Sequence, residues 1–302
     1  MTITTYSSVR LPNGVDMSFA HSGDASNPVI LLLHGYPSSS NQFRNLIPAL
    51  ADRYHVVAPD LPGFGHTKYP SNYVHSFENF AKSIGLFLDA RKITSFAVYI
   101  FDYGAPTALR LALDRPEAVK AIITQNGNAY EEGLGAWWDP LRSYWATEKG
   151  STEYASIRET IRKSAFTLEA VKDQYIDGTP RPLLDHIDPN AYALDYFLAL
   201  SDEDRQEVQL DLFYDYQTNL SLYPAFQEFF RKYKPPTLAV WGRNDPIFIP
   251  PGAQLYTRDN ADTKVALLDG GHFLLETHFE DVAELIREFL ASIPRWSGVG
   301  KK

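Results

Sequence analysis

Residues 98 to 104 read Val-Tyr-Ile-Phe-Asp-Tyr-Gly, and Ala105-Pro106 follows. An apolar run enters a tight turn with Asp102 at its apex, and a helix start lies behind it. Such a turn between strand and helix pushes one side chain out of the sheet edge and aims backbone N–H groups at it. The residue displayed here is an aspartate, and the attacking atom decides which electrophiles can be turned over. A hydroxyl that attacks saturated carbon leaves an ether, which water does not readily cleave. A carboxylate leaves an ester, whose carbonyl an oxyanion hole can then help to hydrolyse. Asp102 therefore points to epoxides or alkyl halides rather than to esters.

Two later loops carry the groups such chemistry needs next. Asp245 sits in Trp241-Gly-Arg-Asn-Asp-Pro and His272 in Asp269-Gly-Gly-His-Phe, each just past an apolar run. The chain order is nucleophile, acid, base. Asp245 would orient His272, and His272 would deprotonate a water that attacks the Asp102 ester. His34-Gly35-Tyr36-Pro37 supplies an oxyanion loop, with the N–H groups of Tyr36 and Tyr103 as donors. Pro37 is a candidate for a cis bond. Taken singly, Asp102 reads as a helix cap, Asp245 as a turn residue and His272 as a loop histidine. Four loops agreeing at one sheet edge carry the catalytic reading. His278 reads as structural, and His21, His55, His66 and His75 lack a partner pattern.

The elements that must position these residues follow an alternation of short apolar runs and amphipathic stretches, which predicts a mostly parallel sheet covered on both faces. Strands are expected at Val15 to His21, Val29 to Leu33, His55 to Ala58, Ser95 to Phe101 and Ala121 to Gln125. Helices are expected at Gln42 to Leu50, Ser76 to Ala90 and Ala105 to Asp114, with Pro106 tolerated in a first turn. From Ala129 to Tyr216 no buried strand is expected, and helical spacing dominates, as in Ser151 to Phe166 and Ser201 to Asp215. The alternation resumes with a helix at Leu222 to Lys232, strands at Thr237 to Trp241 and Lys264 to Leu268, and a helix at Phe279 to Ser292. Ser297 to Lys302 reads as a frayed tail. The fold class is α/β, a doubly wound sheet with core 1–128 and 217–302 and a helical insertion at 129–216.

At 302 residues the chain can bury a large core, and its lack of cysteine excludes disulfides, thiol catalysis and thiolate metal sites. No basic-then-apolar leader and no membrane-length apolar run is read, so the expectation is a soluble cytoplasmic protein, monomer or homodimer. A formal charge of −9 with scattered Lys and Arg disfavours nucleic acid. No metal or cofactor is implied, because Gly63-Phe-Gly65 is too short for a nucleotide loop. The 18 Tyr and 18 Phe, with Trp137, Trp138 and Trp145 in the insertion, favour a small apolar or aromatic substrate.

Over nearly its full length the chain resembles the α/β-hydrolase superfamily. His-Gly-Tyr-Pro at 34–37, Asp-Leu-Pro-Gly-Phe-Gly at 60–65, the Asp102 turn, Trp-Gly-Arg-Asn-Asp at 241–245 and Gly-Gly-His-Phe at 270–273 resemble its epoxide hydrolase and haloalkane dehalogenase branch. The resemblance makes the insertion a cap. Those relatives usually have His before and Trp after the aspartate, where this chain has Phe101 and Tyr103, and Ile100 replaces a small residue. Epoxide hydrolases typically protonate the leaving oxygen with two cap tyrosines, which implies Tyr144 with Tyr214 or Tyr216. Haloalkane dehalogenases usually bind halide with the Trp that Tyr103 replaces. Haloacid enzymes hold a carboxylate with arginines beside the nucleophile, where this chain has Tyr103 and Ala105. Candidate substrate contacts are His34, Trp137, Trp138, Trp145, Asn126 and Phe273, with Asn126 or Asn128 either touching a leaving group or capping a turn. The favoured reading is an epoxide hydrolase, the alternative a haloalkane or haloacid dehalogenase. A noncatalytic ligand-binding protein on the same fold is the reading of another class.

Overall fold

In the computed structural model, which describes residues 3–294, eight strands form one sheet. They are β1 (Thr5–Arg10), β2 (Asp16–Ser22), β3 (Val29–Leu33), β4 (His55–Pro59), β5 (Phe96–Phe101), β6 (Val119–Gln125), β7 (Thr237–Gly242) and β8 (Lys264–Leu268). Their spatial order is β1-β2-β4-β3-β5-β6-β7-β8. The β1/β2 and β2/β4 pairs are antiparallel and the remaining pairs parallel. β4, β5 and β7 are buried at every residue, as strands covered on both faces must be. β1 is absent from the sequence expectation. It is an edge strand of mostly polar residues, exposed at alternate positions, and it lacks the apolar run by which inner strands are read.

The helices are α1 (Leu46–Leu50), α2 (Phe77–Ala90), α3 (Gly104–Asp114), α4 (Asp139–Trp145), α5 (Thr152–Ala165), α6 (Leu168–Ile176), α7 (Pro189–Leu200), α8 (Glu203–Asp215), α9 (Gln217–Leu220), α10 (Tyr223–Tyr233), α11 (Pro251–Asp259) and α12 (Leu275–Ala291). The single helix expected at Gln42 to Leu50 is instead a 3-10 turn at Ser40–Phe43 followed by α1. α12 begins four residues earlier than expected and is interrupted at His278, whose φ of −132° leaves the helical region. Side-chain oxygens of Ser76, Ser151, Thr167, Asp188 and Asp202 accept N–H bonds at the starts of α2, α5, α6, α7 and α8. Residues 129–216 contain α4 to α8 and no strand. Among the described residues no helix is long and apolar enough to cross a membrane. The tail at 297–302, expected to fray, lies outside the described residues.

The register decides which loops meet. Leu33 at the end of β3 pairs with Ile100 of β5, so the chain leaving β3 through Gly35 and Tyr36 arrives beside Asp102. The strand order reverses here, with β4 to one side of β3 and β5 to the other, which is where doubly wound sheets open a crevice. Gln125 pairs with Val240, and Gly242 with Leu268. The loops bearing Asn126, Asp245 and His272 therefore leave the same sheet edge.

Candidate active site

Asp102 adopts φ +45°, a left-handed conformation that non-glycine residues rarely hold, and it does so at the junction of β5 and α3. The turn closes because α3 lies directly on β3: a Cβ on Gly104 would fall 2.2 Å from the Leu33 carbonyl oxygen. The Asp102 carboxylate is buried, and its Oδ1 accepts the Tyr36 N–H at 2.6 Å. The Tyr103 N–H also bonds the carboxylate. Gly35 makes room for it, since a Cβ there would lie 2.2 Å from Asp102 Oδ1. Burial pushes the Asp102 carboxyl up to about 6, opposed by the His272 charge and by the N–H groups of Tyr36 and Tyr103. The Tyr36–Pro37 bond is cis.

His272 is buried, and its Nδ1–H donates to Asp245 Oδ2 at 2.8 Å. Its Nε2 has no protein partner among the described residues, and Phe101 lies against the ring at 4.5 Å between centroids. Burial alone would lower the imidazole pKa, yet the Asp245 charge and hydrogen bond, with the Asp102 charge, raise it above the ordinary histidine value. Asp245 is held in turn by the Ile247 N–H at 2.7 Å and the Asn126 amide at 2.5 Å.

Asn126, at φ +50°, joins two strand-end loops: its Oδ1 also accepts the Gly242 N–H at 3.0 Å. Gln125 donates to Asn126 at 2.6 Å and to the His272 carbonyl at 3.0 Å, and its oxygen accepts the Tyr99 hydroxyl. The sequence placed Asn126 against substrate; the structure places its amide against Asp245. Gln125 was missed, although its place at the end of a buried strand, level with the acid loop, is the signal that finds it. Asn128 closes a turn, bonding both the N–H and the carbonyl of Tyr130.

Beside Asp102 lies a cavity of about 10 Å³, room for roughly one water. Its walls are Tyr36, Tyr103, Trp137, Trp138, Leu141, Gln174, Phe213, Tyr216 and Ile247. Five of these, Trp137, Leu141, Gln174, Phe213 and Ile247, also line an outer cavity of about 440 Å³ between α4, α5 and α6. They form a shared wall, so anything larger than water reaches Asp102 only when that wall moves. Leu141, Gln174, Phe213 and Ile247 were not anticipated. Phe213 had a readable signal, three residues before Tyr216 on consecutive helical turns and so on the same face.

The cap tyrosines separate. Tyr216 lines the chamber, but its hydroxyl lies 3.4 Å from that of Tyr223. Tyr214 is about 100° round the helix from Phe213, which turns it away from the chamber, and its hydroxyl donates to the Thr147 carbonyl at 2.9 Å. Tyr144 accepts from Arg158 at 3.0 Å and packs against Tyr154 and Tyr214. Neither Tyr144 nor Tyr214 lines the Asp102 cavity, contrary to their placement as leaving-group acids. His34 is fully buried with Nδ1 on the Gly35 carbonyl and Nε2 accepting the Leu61 N–H, so it braces two loops rather than meeting substrate. Phe273 stacks on Tyr175 at 3.9 Å. Trp138 and Trp145 donate their indole N–H groups to the carbonyls of Ile247 and Phe213.

Residues 28–279 match the model of the alpha/beta hydrolase fold family. The chain belongs to the α/β-hydrolase family. This α/β-hydrolase is 46% identical over 291 residues to the uncharacterized hydrolase YNR064C of Saccharomyces cerevisiae, covering 96% of this chain and 98% of that protein. It is 34% identical over 150 residues to a haloalkane dehalogenase of Bradyrhizobium diazoefficiens, half of this chain and 46% of that one. Similar solved structures include haloalkane dehalogenase DbeA from Bradyrhizobium elkani (TM-score 0.75, 21% identical, 96% of this chain and 100% of that one). Another is a "putative epoxide hydrolase" from Pseudomonas aeruginosa (TM-score 0.76, 20% identical, 96% of each chain). At these identities the two structures speak to the α/β-hydrolase fold alone.

Proposed function

We propose that this α/β-hydrolase opens small apolar or aromatic epoxides through an alkyl-enzyme ester on Asp102. The observation that carries the reading is the carboxylate at the elbow, bonded at 2.6 Å by the Tyr36 N–H and buried in one site with the His272–Asp245 pair. In the first half-reaction an Asp102 oxygen attacks the less hindered ring carbon, the C–O bond breaks, and the oxygen takes a proton from a tyrosine hydroxyl of the site, which regains it from the Asp102 carboxyl once the ester is hydrolysed. In the second, His272 Nε2 removes a proton from water, which attacks the ester carbonyl while its oxygen is held by the N–H groups of Tyr36 and Tyr103. The imidazolium returns its proton to the departing alcohol. No cofactor enters the scheme.

Removal of halide from a haloalkane is the second reading, favoured by the 34% identity to a haloalkane dehalogenase over half the chain. A haloacid fits less well, because no cation lines the Asp102 cavity to hold its carboxylate. Styrene oxide and 1-bromobutane, scored separately for diol and for bromide, distinguish the two products. With the turned-over probe, His272→Gln accumulates an adduct visible by intact mass and mapping to Asp102, and Asp102→Asn forms none. Full turnover by both variants would sink the covalent scheme. Tight binding of an unchanged apolar ligand, with no product from any probe, would favour the ligand-binding reading instead.

A further inference from the structure

The chamber contains two phenols whose hydroxyls have no protein hydrogen-bond partner among the described residues. Tyr36 and Tyr103 both line the cavity beside Asp102, their rings are 6.0 Å apart, and both hydroxyl oxygens are buried. A buried hydroxyl left without a partner costs about 1–3 kcal/mol, and side chains without a task seldom retain one. Every other tyrosine proposed for this chemistry is bonded elsewhere: Tyr144 to Arg158, Tyr214 to Thr147, Tyr216 to Tyr223. Resting on the Asp102 reading, we infer that the hydroxyls of Tyr36 and Tyr103 are the leaving-group donors, so that the acid of ring opening belongs to the core rather than to the cap.

The two residues would then act twice, through the backbone N–H as oxyanion donors and through the side chain as leaving-group donors. Ring opening forms the Asp102 Oδ–carbon bond and breaks the carbon–oxygen bond, and the electron pair left on oxygen takes the phenol proton. Negative charge thus moves from Asp102 to a phenolate. The Asp102 charge, which together with burial holds both phenols protonated at rest, vanishes in the same step. Hydrolysis restores it: His272 takes a water proton and passes it to the departing alcohol, and the proton on the regenerated Asp102 carboxyl returns to the phenolate. One epoxide and one water give one diol, and every group ends as it began.

The test places Tyr36→Phe, Tyr103→Phe and both together on a His272→Gln background, with Tyr144→Phe/Tyr214→Phe as the control pair, and follows Asp102 adduct formation by mass. Styrene oxide alkylation should slow by about 10²-fold or more in the Tyr36/Tyr103 double variant and by less than about twofold in the control. Alkylation by 1-bromobutane, whose leaving group needs no proton, should slow by no more than about tenfold. Melting temperature should be retained or raised, because only unpaired hydroxyls are removed. Epoxide alkylation at the parent rate overturns the assignment, and so does an equal loss with both probes, which marks a positioning role. Failure of the His272→Gln parent to form any adduct is a different result and overturns the Asp102 reading itself.

Discussion

The floor of the chamber and the cap segment above it use their polar groups in opposite ways. On the floor, polar side chains from loops far apart in sequence converge on two carboxylates and a histidine. Asn126 and the Ile247 N–H fix Asp245, Asp245 fixes His272, and the Tyr36 N–H fixes Asp102. In the cap, polar groups mostly bind the helices to one another. Arg158 of α5 bonds Tyr144, Asp211 and Glu207, Arg162 bonds Gln206 and Glu207, and all of this lies away from the Asp102 chamber. The faces turned toward Asp102 from α4 and α8 are Leu141 and Phe213. The buried polar network lies on the floor, whereas the cap meets Asp102 mainly with apolar side chains.

The sharpest way to break that division is Asp245→Asn. The amide would turn an N–H toward the Asn126 donor and favour the wrong imidazole tautomer, so turnover should fall by about 10³–10⁴-fold while adduct on Asp102 accumulates. Burst kinetics read both at once, and a loss smaller than tenfold would move the base function out of the floor.

Next in size is Gly35→Ala. The new methyl carbon would arrive 2.2 Å from Asp102 Oδ1 and 2.3 Å from its Cβ, so the carboxylate must shift. A misplacement of about 1 Å costs roughly 10²-fold, and the loss should fall on alkylation rather than on apparent affinity. A substitution of comparable size in the cap, such as Tyr214→Phe, should cost less than about twofold. Equal losses would erase the distinction between the regions.

A smaller effect comes from pH. Burial raises the Asp102 carboxyl to about 6, and only its ionised form attacks. Alkylation should therefore fall about tenfold between pH 7 and pH 5. In His272→Gln the limb should move upward, because the imidazolium charge is one of the influences holding Asp102 down. Rapid-quench alkylation rates from pH 4.5 to 8 check both, and a limb near the ordinary carboxylate value would contradict the burial described.

What the sequence revealed and what it withheld divide along the same line. Asp102, Gly35 and Asn126 occupy backbone positions that restrict residue choice, through a positive φ or a close approach, so the loop motifs carry information about geometry. Tyr144 and Tyr214 carry none of that kind. Their direction depends on how α4, α5 and α8 are rotated against one another, and one residue of phase separates Tyr214 from the chamber-lining Phe213. The Tyr36 motif speaks only for its N–H group, and the Tyr103 side chain was weighed only as the residue in place of a halide-binding Trp. β1 was overlooked because an exposed edge needs no apolar run.

The smallest effect comes from a buried cap carboxylate that faces charged groups of the floor. Asp195 of α7 is buried and accepts the Tyr175 hydroxyl of α6 at 2.5 Å. Close by, Arg44 forms a two-pronged pair with the buried Glu276 at 2.7 and 2.8 Å. Burial, opposed by the Tyr175 hydrogen bond, raises the Asp195 carboxyl to about 7. Because the folded value lies above the unfolded one of about 3.9, the folded state holds the proton more tightly, and stability falls as pH rises from about 4 to about 7. Asp195→Asn keeps an acceptor for Tyr175 and removes the titration. It should match the wild type near pH 4 and melt about 2–5 °C higher at pH 8, the gain expected from about 1–3 kcal/mol in a chain of this size. Turnover should change less than threefold, since the residue does not line the Asp102 cavity. A melting temperature lowered at both pH values would instead make Asp195 a fully ionised anchor paired to Arg44, and the cap would then be clamped to the floor by charge.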